Sequence, residues 1–445
     1  MAAYVYPENL LQKLPAVWNA SQGFGTPPPA LPGPGELSAL VDVAYHASFL
    51  TEEQRRLGFR LVYASSDELG EYVRNYGKFH HSLSVSPLSR PLPLTASELI
   101  KLAPATDYTR MLICVAPAQD RRKRRRLEIW GLLDAGGSWW SFTHGEGESG
   151  FPPPNFLTIA ATEPGQLSVS RNGWPLLNLR HGVLSVPSRS SPIHRGPVSE
   201  FLEPARTAFY RELCSRLNAE CYDPEGHDDD YPARFFNEYL ERILFHIREK
   251  HHGGTLLVVP EDFASDDGRL VDLATVKYQL DYSRGWNAAI DYLEAHRRYY
   301  DIYFGPYSKD QVSKDAIDRL GTWESQMEDA REAVADSVRF VAALSAVDGA
   351  LLMTNRLKLI GFGTEIIAAS RIAEVDLSIV ASGRRKAGQA IEAYGTRHRT
   401  AIRFCSRYED AVAFIVSSDG GVKAVKRVGA RVIMWPDINS GAFGL

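Results

Sequence analysis

Gly395-Thr396-Arg397-His398-Arg399-Thr400-Ala401 is the stretch that most constrains this chain. Gly395 and Thr396 suit the entry to a helix, and His398, Ala401, Ile402 and Cys405 then recur at helical spacing on one face. The segment is therefore predicted to open a helix. The first turn of a helix leaves backbone N–H groups unpaired at the positive end of its dipole, a setting that favours an anion. Arg397 and Arg399 add forked donors that match phosphate oxygens. An exposed basic turn is the other reading of the same residues.

Working outward, residues 411–416 form a continuous apolar run of strand length, ending at Ser417. On the other side, residues 337–346 read as the end of a helix, and Val347-Asp348-Gly349-Ala350 stands where helix gives way to strand. A carboxylate at such a junction can hold a divalent cation or accept a proton, and Gly349 would let a ligand approach closely. An Asp-Gly turn is the plainer alternative. Residues 350–353 and 357–360 flank Asn355-Arg356 as a hairpin. Residues 255–259, preceded by Gly253 and Gly254, read as a strand buried on both faces. Residues 198–217 and 231–250 carry apolar side chains at helical intervals, and residues 267–346 read as helix-rich.

The N-terminal half has a different texture. Residues 23–35, rich in Gly and Pro, predict an irregular arm. A helix at 36–50 and strands at 59–64, 109–116, 127–133, 156–161 and 167–170 predict an α+β domain. Pro, Ser and Arg dominate residues 186–197, the composition of a hinge. The expected division is 1–197 and 198–445, an α+β domain followed by an α/β domain with a mixed central sheet flanked by helices.

With 445 residues, 44% hydrophobic, the chain can build ordinary cores, and global disorder is excluded. Fifty basic residues against 54 acidic leave a net charge of -4, so no whole-chain field favours nucleic acid. No apolar run reaches the length of a membrane helix, and the first residues lack a basic, then apolar, leader pattern, so a cytoplasmic protein is expected. Cys114, Cys214, Cys221 and Cys405 are scattered and are expected to be reduced, partly buried residues.

Taken together, Gly254-Thr255-Leu256-Leu257-Val258-Val259, Asp348-Gly349-Ala350 and Gly395-Thr396-Arg397-His398-Arg399 resemble, in order and spacing, the diadenylate cyclase domain family. The resemblance covers residues 235–436. It implies condensation of two ATP molecules into the second messenger cyclic di-AMP, with loss of two pyrophosphates and help from a divalent metal, Mg or Mn. By position, Asp348 would hold the metal and help activate a ribose hydroxyl, with Gly349 and Ala350 lining the nucleotide. Gly395, Thr396, Arg397, His398, Arg399 and Ser417 would bind nucleotide and phosphates. Where the family often has Ser-Glu-Glu-Thr-Gly, this chain has Ser417-Ser418-Asp419-Gly420-Gly421, leaving Asp419 as the second candidate metal ligand. The resemblance also implies a homo-oligomer paired through the catalytic domain. A receptor that binds nucleotide without turnover, or a synthase of another dinucleotide, are the alternatives. More weakly, the N-terminal half resembles the DACNV-type sensor domain, on its arrangement and residues 49–62, which implies regulation by a ligand of unknown identity.

Other clusters read more simply. The basic run 121–126 reads as a solvated hairpin loop, and His144-Gly145-Glu146-Gly147-Glu148 as a Gly-rich loop. Asp228, Asp229 and Asp230 suit a helix start, His80, His81, His251 and His252 the surface, and Trp139 and Trp140 packing on a sheet.

Overall fold

The computed structural model describes residues 5–20, 28–53, 55–56, 58–76, 83–107, 110–119, 125–135, 155–171, 174–180, 182–186, 191–218, 231–250, 252–265, 272–303, 314–385, 387–417, 421–436 and 438. Of the clusters noted above, Trp139, Trp140, His80, His81, His251, the 144–148 loop, Asp228 to Asp230 and most of the basic run lie outside the described residues, as do Cys221 and Asp419. Contacts divide the chain between Pro187 and Ser188 into two units.

In the first unit, helix α1 (Pro7–Ala20) buries Leu10, Leu14 and Trp18, one residue per turn, and α2 (Pro34–Ala47) buries Leu37, Leu40, Val41 and Ala44. A two-residue pair, β1 (Thr51–Glu52) and β2 (Arg55–Arg56), precedes β3 (Phe59–Tyr63), α3 (Ser66–Tyr76), β4 (Ser84–Pro93) and α4 (Ala96–Leu102). Strands β5 (Met111–Gln119), β6 (Arg125–Asp134), β7 (Leu157–Ala161), β8 (Leu167–Arg171), β9 (Trp174–Arg180) and β10 (Val183–Ser185) complete it. With β3 and β4 they form an eight-stranded sheet in the order β10-β9-β8-β7-β3-β5-β6-β4, with β3 and β5 parallel and the other neighbours antiparallel. Pro87, Pro91 and Pro93 lie in the edge strand β4, where a missing N–H leaves fewer ladder bonds broken.

The second unit begins at Ser188. Ile193 packs into its core, and the buried Arg206 guanidinium ties this entry segment down by donating to Ile193 O at 3.4 Å, Asn237 Oδ1 at 3.0 Å and Ser199 O at 2.8 Å. Arg206 belongs to α5 (Pro197–Leu217), followed by α6 (Tyr231–Glu249), β11 (Gly254–Val259), β12 (Ala274–Tyr282), α7 (Arg284–Tyr303) and α8 (Lys314–Leu344). Then come β13 (Ala350–Thr354), β14 (Leu359–Ile366), β15 (Glu374–Leu377), β16 (Ala387–Ala390), α9 (Thr396–Arg407), β17 (Val412–Val416), β18 (Val422–Val428) and β19 (Arg431–Trp435). The nine strands run in the order β12-β14-β13-β11-β17-β18-β19-β15-β16, mixed because β11–β13 and β15–β19 are parallel pairs.

Every residue of β11, β13 and β17 is buried, since helices cover both faces of the sheet at its centre. On one face Leu256, Val258, Leu351, Met353, Val412 and Phe414 meet α5, α6, α7 and α8; on the other Leu257, Val259, Leu352, Ala413 and Ile415 meet Ala401, Ile402, Phe404 and Cys405 of α9. The region 267–346 is helix-rich as read, through α7 and α8, but β12 precedes them as a strand that the reading did not contain. As an edge strand with one neighbour, β12 alternates Val276, Tyr278, Leu280 and Tyr282 with polar residues, and only Ala274 is fully buried.

Candidate functional site

Helix α9 starts where the Gly395 segment predicts a helix start. Gly395 is its N-cap, and having no side chain it gives no side-chain cap to the first-turn amides. Among the described residues a methyl group on Gly395 would meet nothing within 4 Å, so these leave the approach to this helix end open. Arg397 is exposed and His398 and Arg399 are half-buried, with Arg399 Nη2 donating to Thr396 Oγ1 at 3.4 Å.

Strand register shows which residues share this end of the sheet. Gly254 pairs with Val416, and Leu256 with Leu351 in the parallel neighbour, so the start of β11, the start of β13 and the end of β17 are level. Asp348 and Gly349 immediately precede β13, and Ser417 immediately follows β17. Only β11 stands between those two strands, a separation of about 10 Å at the usual strand spacing. The α9 end joins them, because His398 Nε2 lies 3.4 Å from Ser417 Oγ. One end of one sheet thus collects Asp348, Gly349, Ala350, Gly395, Thr396, Arg397, His398, Arg399 and Ser417.

The turn before β13 needs glycine for a physical reason. Gly349 has φ +115°, and a Cβ there would stand 2.5 Å from the Gly363 carbonyl carbon and 2.8 Å from Thr364 N. Ala350 is buried against Thr364, while Asp348 is exposed.

Sequence reasoning missed two residues here. Tyr394 stacks on the His398 ring, with centroids 5.5 Å apart and planes inclined by 20°, and its hydroxyl donates to Gln389 Oε1 at 2.9 Å. Burial pushes its phenol up to about 12, so it stays neutral. The other is Lys423 on β18, whose Nζ donates to Ser417 Oγ at 3.2 Å. Lys423 pairs with Ile415 and shares the α9 face. No local motif announces it, since in sequence it is one charge in an alternating strand. The thiol of Cys405 lies beneath, donates to Val425 O at 3.3 Å and is pushed up to about 12 by burial, so it is packing and not a nucleophile. Cys114 and Cys214 are likewise buried.

Among the described residues no group of three or more His, Cys, Asp or Glu could hold a metal by itself. One exposed carboxylate, Asp348, at an open sheet end still fits a magnesium-type ion, which takes one or two protein carboxylates and draws other ligands from substrate phosphates and water.

The two units are thus mixed-sheet α+β and α/β modules, the second carrying an open, cation-lined helix end. Residues 26–134, covering α2 through β6, match the family model described as "Probable sensor domain DACNV", the N-terminal sensor of diadenylate cyclases. No curated protein and no solved structure matches the chain. Among the described residues no helix is long and apolar enough to cross a membrane.

Proposed function

We propose that the second unit is a diadenylate cyclase, condensing two ATP molecules into cyclic di-AMP and two pyrophosphates, under control of the sensor-like first unit. The observation that carries this reading is the His398–Ser417 contact, which brings the α9 start to the end of the sheet where Asp348-Gly349-Ala350 opens β13. Each condensation forms a bond from a ribose 3′-oxygen to an α-phosphorus and breaks the bond to the departing pyrophosphate, while the hydroxyl proton is lost. Such chemistry is mostly positioning and stabilisation of charge.

The α9 amides, Thr396, Arg397 and Arg399 bind and orient the phosphates. Asp348 would hold the divalent metal, Mg or Mn, and would lower the cost of removing the hydroxyl proton. When bound, that metal offsets charge on the α-phosphate and on the leaving pyrophosphate. The attacking hydroxyl must come within about 3–3.5 Å of the phosphorus of a second ATP. Two copies of the unit must therefore meet face to face.

Incubation with ATP and Mg²⁺ or Mn²⁺, followed by chromatography and product mass, tests the reading directly. Cyclic di-AMP is expected, with specific activity rising with protein concentration until pairing saturates. Asp348→Asn should lose most turnover while ATP affinity stays within about tenfold, because its interaction strengthens in the transition state. ATP binding without any product would make the unit a receptor, and another product mass would make it a different synthase.

A further inference from the structure

Ser417 Oγ has two partners among the described residues, His398 Nε2 at 3.4 Å and Lys423 Nζ at 3.2 Å. A serine hydroxyl carries one proton and two lone pairs, and an ammonium group donates without being able to accept. Lys423 therefore occupies a lone pair of Ser417, and the serine proton has one acceptor among its partners, His398 Nε2. A ring nitrogen that accepts a hydrogen bond carries no proton, so in the neutral imidazole the proton stays on Nδ1.

From this we propose that Lys423 is a positioning residue of the site, holding His398 through Ser417 as the neutral tautomer protonated on Nδ1. Three elements contribute: β18 gives the cation, β17 the hydroxyl and α9 the imidazole. The ring plane is set by a fourth group, Tyr394, which stacks on it and is itself fixed through Gln389. Orientation and tautomer are both defined by side chains from other elements, an arrangement usual where an imidazole must present one particular nitrogen.

The inference deepens the proposed function and, for its purpose, rests on it. In that reading His398 Nδ1–H donates to a phosphate oxygen of ATP, while Lys423 keeps positive charge close by without being the contacting group. The site then selects a polyphosphate ligand by a neutral donor flanked by cations, with Arg397 and Arg399 on the same helix turn.

The test is the imidazole ¹⁵N pattern of the ¹⁵N-histidine-labelled full chain without nucleotide. His398 is assigned by the signal lost in His398→Gln, and the remaining 11 of the 12 histidines report on the fold. The parent is expected to show the Nδ1–H pattern. Lys423→Met should shift that signal toward the Nε2–H pattern, and Lys423→Arg, which keeps a donor, should restore it. Ser417→Ala should give the same shift with Lys423 intact, which decides the matter if the methionine variant disturbs the other histidines. A parent in the Nε2–H form, or a signal unchanged in both Lys423→Met and Ser417→Ala, overturns the proposal. Because no turnover is read, this outcome is separate from whether the chain makes cyclic di-AMP. If it does, Lys423→Met should lower kcat about tenfold with little change in KM, and Lys423→Arg should recover it.

Discussion

Adding one methyl group at Gly349 and one at Gly321 should move stability in opposite directions. At Gly349 the backbone sits at φ +115°, which L side chains rarely adopt, and the new Cβ would stand 2.5 Å from Gly363 C and 2.8 Å from both Gly363 Cα and Thr364 N. All three atoms are backbone of β14, so no rotamer change relieves the clash. Strain of this kind costs about 1–3 kcal/mol, and forcing packed groups apart costs about 1–3 kcal/mol more. A loss of about 4 kcal/mol lowers the melting temperature by about 8–16 °C in a domain of this size. Gly321 lies inside α8 with nothing among the described residues within 4 Å of its would-be Cβ. There Ala should gain about 0.5–1 kcal/mol through helix propensity. Melting of the full chain by circular dichroism reads both, and the Gly321→Ala shift marks which transition belongs to the second unit. A Gly349→Ala protein melting within about 1 °C of the parent would refute the close approach of the Asp348 turn to β14, and with it the geometry on which the site rests.

Replacing both Arg397 and Arg399 by Ala should weaken ATP binding about a hundredfold or more by calorimetry, since each charge-assisted bond contributes about 1.5–3 kcal/mol; retained affinity in a folded variant would remove them from the phosphate site. Phe209→Ala should cost about 3–5 kcal/mol in denaturant unfolding. Its ring is fully buried, with edge contacts to Trp286 at 5.0 Å and Phe236 at 5.8 Å, and a loss below about 1 kcal/mol would contradict that packing. Arg206→Lys keeps the charge but loses the planar fork that serves Ile193, Asn237 and Ser199 together, so a destabilisation of about 1–3 kcal/mol is expected, with unchanged stability as the opposing result.

Elements with strong local signals were legible from sequence. The apolar runs that became β11 and β17 have strand length and read as strands covered on both faces, and the helical spacing after Gly395 marked α9 and its buried side. The edge strands were not legible. β12 and β16 have one neighbour each: β12 alternates apolar and polar residues but buries only Ala274, and β16 has no buried residue, so burial impresses little pattern on either. The short strand β15, next to the sheet edge, pairs antiparallel with β16 and parallel with β19, but its four residues are too few to register as a period.

The candidate site divides along the same line. Sequence alone determined which local segments can meet an anion: a glycine-capped helix start carrying Arg397 and Arg399, and an Asp348-Gly349 turn entering a strand, both set by nearest-neighbour chemistry. The pairing order β13-β11-β17 decided that those segments share one end of a sheet, because pairing register depends on contacts between residues more than 60 positions apart. It also decided that Lys423 and Tyr394 belong there. Nothing local marks a lysine on a strand or a tyrosine before a helix; their roles arise only when β18 and α9 close on Ser417 and His398, a meeting that tertiary packing alone brings about.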